Sequence, residues 1–205
     1  MPRSVALFFS YVFHPLWMPL MVFLVAYGLD PYILFNPKLY ALVVGVLIIN
    51  TVAPGISLVF MMRMGMITSA EIYDRRERVL PFVLILFYFV LAYAILRYKV
   101  GGWEPIVMSM FTALLLSVGA AFVITFWWKI SIHSLSQGGM VGTLVALSGL
   151  HSINLLPWII GAVVIAALVA TSRMVLKAHS PSQTYAGFAL SCLIHVVCLR
   201  YGFYL

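Results

Sequence analysis

Ser172-Arg173-Met174-Val175-Leu176-Lys177-Ala178-His179-Ser180-Pro181-Ser182-Gln183 places an arginine, a lysine and a histidine at the end of a long apolar run. A Lys or Arg at the centre of a bilayer costs ~2.5–3.5 kcal/mol on insertion scales, so these heads belong at an interface or beside a wet cavity. Both settings suit an anionic group. The apolar run that leads into the stretch, residues 155–176, and the one that follows it, 184–204, each have the length of ~20 residues that a hydrocarbon core demands. Outward from them the same rule gives runs at 5–28, 39–62, 82–98, 105–128 and 134–150. Breaks fall at Asp30-Pro31, Asn36-Pro37-Lys38, Gly101-Gly102 and between His151 and Asn154.

Hydrophobic residues make up 64% of the 205 and charged residues 8%. With a mean hydropathy of +1.12, that excludes an ordinary soluble domain. The expected fold is all-α: a single polytopic membrane helical bundle over residues 1–205, with six core transmembrane helices plus one more. A net charge of +7 would suggest nucleic acid in a soluble protein. Here no basic run is long, or interleaved with exposed aromatics, as a nucleic-acid groove requires. Membrane lipids and their phosphate head groups are the expected anionic partners.

Met-Pro-Arg leads into an apolar run too long for a signal-peptide core, which predicts a retained first span. His14-Pro15 and Pro19 predict that this span is kinked or begins as an interfacial helix. Gly138, Gly139, Gly142 and Gly149 put the run 134–150 inside the bundle, where a neighbour approaches closely. Cys192, His195 and Cys198 have a metal-like spacing, but the two cysteines stand about 240° apart around a helix, so they read as helix-packing residues.

Two further polar stretches stand out. Glu71-Ile72-Tyr73-Asp74-Arg75-Arg76-Glu77-Arg78-Val79-Leu80-Pro81 is the only charge cluster. As a helix it would put Arg75 and Arg78 on one face, with Glu71 reaching Arg75 and Asp74 reaching Arg78 at spacing four. It can equally be a solvated, self-paired loop helix. Lys129-Ile130-Ser131-Ile132-His133-Ser134 follows the interfacial pair Trp127-Trp128. Its plain reading is a snorkelling lysine and a serine cap. Each pair of stretches is separated by two runs, so all three face the same aqueous side.

Ser172-Arg173, five residues, then His179 resembles the third signature of the type 2 phosphatidic acid phosphatase superfamily, the lipid phosphate phosphatases. Ser131 and His133 match half of that family's second signature, Pro-Ser-Gly-His. Arg75-x-x-Arg78-x-x-Pro81 stands in the order of the first, Lys, six residues, Arg-Pro. The family continues its third signature with three residues and an aspartate, where this chain has Gln183. Ser180-x-x-Gln183 with Pro181 is also a helix capping box, and that alternative accounts for Gln183 on its own.

The resemblance implies metal-independent hydrolysis of a lipid phosphate or diphosphate, with no cofactor, in a bacterial inner membrane. His179 would attack phosphorus and form a phosphohistidine. His133 would protonate the leaving oxygen, and Gln183 would orient His179. Arg173, Arg75 or Arg78, Lys129 and Ser131 would hold the equatorial oxygens. The alternative is a lipid-phosphate binding or transport protein with little turnover. Other classes are a haem protein ligated by His133 and His179, and an ion channel or transporter. Basic residues favour the side of the three stretches, but equal numbers remain on both sides once Arg75, Arg78, Lys129 and Arg173 are counted as ligands.

Overall fold

The computed structural model describes residues 1–29, 35, 38–69, 72, 74–100 and 105–204, and among them every regular element is a helix. In chain order these are α1 (Arg3–Val12), α2 (Met18–Leu29), α3, α4 (Val79–Ala94), α5 (Pro105–Thr125), α6 (Ile132–His151), α7 (Leu156–Val175) and α8 (Pro181–Arg200). Helix α3 is continuous through Leu39–Leu47, a π-helical turn Ile48–Val52, and Ala53–Arg63. A 3₁₀ turn, Arg76–Arg78, opens α4, and a π-helical turn, Ile95–Val100, ends it.

Among the described residues five helices, α3, α4, α5, α7 and α8, are long and apolar enough to cross a membrane. The chain is therefore an all-α protein built for multiple membrane crossings. The expected first span is divided. Pro15 has no N–H to give and disfavours helical geometry at His14, so the chain turns over His14–Trp17 between α1 and α2. Those two helices have 10 and 12 residues, short of the ~20 that a crossing needs. Helix α6 has the length, 20 residues, but its Ser, Gly, Gln and His content makes it less apolar.

Enclosure accounts for that composition. Helix α6 packs against α8, α7, α2 and α5 and buries Ser134, Gln137 and Thr143 along with its apolar side chains. Helices α6 and α8 run in the same direction: Ser131 N–H donates to the Gln183 carbonyl at one end, and Gly149 lies beside Arg200 at the other. Their backbones are close enough that a Cβ on Gly142 would stand 2.5 Å from the Cys192 carbonyl oxygen, and one on Gly187 2.6 Å from that of Ser131. Small residues at these positions set the spacing.

Helix α1 packs against α7 and, at one end of the α6–α8 pair, reaches the start of α6. The Ser10 carbonyl accepts from His133 at the start of α6, and Met1 Sδ meets Ser172 Oγ near the end of α7. The same end receives the start of α4, the end of α5 and the start of α8, which brings all three polar stretches together.

Candidate functional site

Local backbone rules explain the spacing between Arg173 and His179. Helix α7 ends in a Schellman turn: Ala178 N–H donates to the Arg173 carbonyl and Lys177 N–H to that of Met174. The left-handed residue that the motif requires is Lys177, with φ +54°, where glycine is the common choice. The turn folds the chain back over the helix end, and His179 N–H also reaches the Arg173 carbonyl at 3.4 Å. Six positions after Arg173, the histidine therefore sits beside it.

Helix α8 then starts at once. Ser180 is its N-cap, Pro181 its first residue, and the capping box is complete: Ser180 Oγ accepts from Gln183 N–H, and Gln183 Oε1 accepts from Ser180 N–H at 3.1 Å. The same Oε1 accepts from His179 Nδ1–H, also at 3.1 Å. Because a backbone N–H can only donate, Oε1 must be the acceptor there, and the proton between it and His179 lies on Nδ1. The nitrogen left with a lone pair is Nε2.

Arg78, His133, Arg173, His179, His14 and Ile72 line a cleft of about 90 Å³ at this end of the bundle. Arg173 is 1% exposed, Arg78 6% and His179 8%, so two guanidinium groups and an imidazole share a largely dry site. Arg78 is fixed by two backbone acceptors, the Ile72 carbonyl at 3.0 Å from Nε and the Ile130 carbonyl at 3.1 Å from Nη1. Burial, with the Arg78 charge next, pushes His179 down to about 3, while the bond to Gln183 opposes the shift. The imidazole is therefore neutral at physiological pH. Burial and the charges of Arg78 and Arg173 likewise lower Lys129.

The remaining residues expected at the site fall into distinct places. His133 lines the cleft and donates Nε2–H to the Ser10 carbonyl at 3.2 Å. Lys129 is half-buried, close enough to feel both arginines, but does not line the cleft. Ser131 is fully buried as the N-cap of α6, its Oγ accepting from Ser134 N–H. Arg75 turns away, donating from Nη1 to the Phe126 carbonyl at 2.7 Å.

The charge cluster differs from the helix expected of it. Residues 76–78 form a single 3₁₀ turn. Asp74 accepts from Arg76 N–H rather than reaching Arg78, and Glu77 accepts from the Thr68 N–H and hydroxyl. The expected partner of Arg75, Glu71, lies outside the described residues. Arg78 is the arginine that faces inward, held by the carbonyls of Ile72 and Ile130.

His14 is a site residue that the sequence presents only as part of a kink. Its ring meets that of His133 edge to face, 5.1 Å between centroids, and its Nδ1 accepts from Leu16 N–H, which places its proton on Nε2. Nothing local could reveal this, because α1 and α6 are far apart in the chain. The Cys192–His195–Cys198 group makes no shared site: His195 Nδ1–H donates to the Ser191 carbonyl at 2.9 Å, and neither cysteine is in a disulfide. No protein-family model, curated protein or solved structure matches the chain.

Proposed function

We propose that the cleft binds the phosphate or diphosphate of a membrane lipid and hydrolyses it through a phosphohistidine on His179. The observation that carries this reading is the hydrogen bond from His179 Nδ1–H to Gln183 Oε1, which leaves a neutral Nε2 as the basic nitrogen of a ring lining a cleft with Arg78 and Arg173. The Nε2 lone pair forms the bond to phosphorus as the bond from phosphorus to the lipid oxygen breaks. The two guanidiniums meet the charge on the equatorial oxygens in a desolvated setting where fixed donors act strongly. Lys129 adds long-range positive potential. A water beside the His14–His133 pair gives the leaving oxygen its proton, and the hydroxide left behind attacks phosphorus as the bond to Nε2 breaks, which releases phosphate and restores the Nε2 lone pair.

In this reading α6 makes a sixth crossing, because it runs beside α8 from Ser131 to Gly149. Helix α1 lies at the membrane interface beside the cleft, its exposed Phe8 and Tyr11 suited to that level, and the turn after it brings His14 into the lining.

The test is phosphate release by purified protein from phosphatidate, polyprenyl phosphate, polyprenyl diphosphate and lipid A-like phosphates, with a chelator present. Release without divalent metal is expected. His179→Ala should lower it by ~10⁴-fold or more, as loss of a nucleophile does in a hydrolase triad, while lipid-phosphate binding persists. Complete dependence on Mg²⁺, or undiminished turnover in His179→Ala, overturns the mechanism. One observation favours a second reading, a binding or transport protein: Gln183 is neutral and already engaged as a cap. Tight lipid-phosphate binding by the wild type with no release from any substrate would select it.

A further inference from the structure

A second pocket, of about 110 Å³, continues from the cationic cleft into the apolar interior. His14, Leu58, Phe82, Ile85 and Ile132 line both, so the two share a throat. Beyond it the walls are largely apolar, and the serines and the histidine that also line it, Ser117, Ser136, Ser191 and His195, are hydrogen-bonded within the protein, which leaves one exception in α3. Asn50 lines this pocket, is 1% exposed, and neither its Nδ2 nor its Oδ1 has a hydrogen-bond partner.

The surrounding backbone is also unusual. Pro54 cannot donate to the Asn50 carbonyl and its ring crowds that carbonyl, and the helix relieves the clash by widening into the π-helical turn Ile48–Val52, which has Asn50 at its centre. Such turns in otherwise α-helical segments recur at functional sites. An unpartnered amide in a membrane interior is costly, and a leucine there would serve packing better. Two independent features, the orphaned amide and the π turn, thus converge on one wall of the pocket.

We propose that this pocket holds the hydrocarbon chain of the lipid phosphate and that Asn50 hydrogen-bonds a hydroxyl carried on that chain, so that the preferred ligand is a hydroxyacyl lipid phosphate. The proposal rests on the cleft being the phosphate end. Eight residues of helix separate Leu58 at the throat from Asn50, ~12 Å along the axis. The ester carbonyl of a glycerolipid lies only a few bonds from phosphorus, and so stays near the throat. A polyprenyl chain has no polar group at any depth. A carboxamide offers one acceptor and two donors, and a hydroxyl, which both donates and accepts, can satisfy Nδ2 and Oδ1 together.

The probes are mid-chain hydroxystearoyl lysophosphatidate, plain stearoyl lysophosphatidate, and the phosphate-free hydroxystearoyl glycerol, with binding and phosphate release both measured on the intact protein. Wild type should bind the hydroxylated lysophosphatidate about tenfold more tightly than the plain one, the worth of a satisfied buried hydrogen bond. Asn50→Leu removes an unpaired buried amide, so it should fold with an unchanged or higher melting temperature and lose that preference. Equal affinities in the wild type, or a preference that survives in Asn50→Leu, overturn the proposal, the amide then being satisfied by water. The outcomes separate from those of the hydrolysis reading. An Asn50-dependent hydroxyl preference, seen also with the phosphate-free glycerol but with no phosphate release, supports the chain site and sinks hydrolysis. Release with no hydroxyl preference does the reverse.

Discussion

Gln183 Oε1 accepts two hydrogen bonds, one from the N-cap backbone and one from His179, because a carbonyl oxygen has two lone pairs. Capping and orientation, which the sequence presents as alternatives, are met by one atom. Gln183→Glu keeps the reach of the side chain and puts a full negative charge beside Nδ1–H. We expect it to raise the basicity of His179 and to raise turnover at least tenfold, with the melting temperature changed little, since a carboxylate also suits the first turn of a helix. Gln183→Leu loses both bonds and should cost ~1 kcal/mol of stability together with most activity. A Glu variant no faster than wild type would leave the oxygen with capping alone. His179 supplies a second residue-scale prediction. Its ordinary value is 6.5 and burial holds it at about 3, so an unfolded chain takes up a proton there before the folded one does. Stability from this group is complete above pH 6.5 and is lost as pH falls from there towards 3. His179→Ala should therefore melt with a shallower acid dependence than wild type, a difference visible in paired thermal scans.

Connections between elements explain why some of the site was legible in the sequence and some was not. The interval from Ser172 to Gln183 is one helix end, one Schellman turn and one capping box, all local, and its residues meet as their spacing implies. Arg75 and Arg78 could not be told apart in the same way, since Arg78 is held by carbonyls at Ile72 and Ile130, the latter in the connection between α5 and α6, and a 3₁₀ turn stands in place of a helix. The Schellman turn gives a prediction of its own. A non-glycine residue at positive φ costs ~1–2 kcal/mol, part of which glycine returns through its greater freedom when unfolded. Lys177→Gly should thus stabilise the protein by up to ~1 kcal/mol with turnover intact, whereas Lys177→Pro, fixed at negative φ, should displace His179 and abolish turnover. Glycines between α6 and α8 act at the same scale. Gly142→Ala forces the two backbones apart and should cost ~1–3 kcal/mol as overpacking does, measured by chemical or thermal unfolding.

Over the whole molecule, counting apolar runs was enough to expect the three polar stretches on one side, because successive stretches are separated by two runs. The same arithmetic is blind to how helices sit around one another, so the enclosure of α6, the packing of α1 against α7 and the orphaned amide of Asn50 all required the packed structure. Arg76, in the turn that opens α4, and Ser182, in the first turn of α8, are exposed at the cleft end, and Asn154 is exposed between α6 and α7 at the other. That geometry has a consequence in a sealed membrane. With Cys192 and Cys198 replaced by alanine, single cysteines at 76 and 182 should react with an impermeant thiol reagent from one and the same side, and a cysteine at 154 only from the opposite side. Each site is exposed at a helix end or in a connection, so reactivity reports the side and not the depth. Labelling of 76 and 182 from opposite sides would mean that Arg78 and His179 do not share a cleft in the membrane, and the phosphate site would fall with it. Labelling of 154 together with 182 would mean that α7 does not cross, which its 20-residue, mostly apolar helix with the buried Arg173 in its last turn argues against.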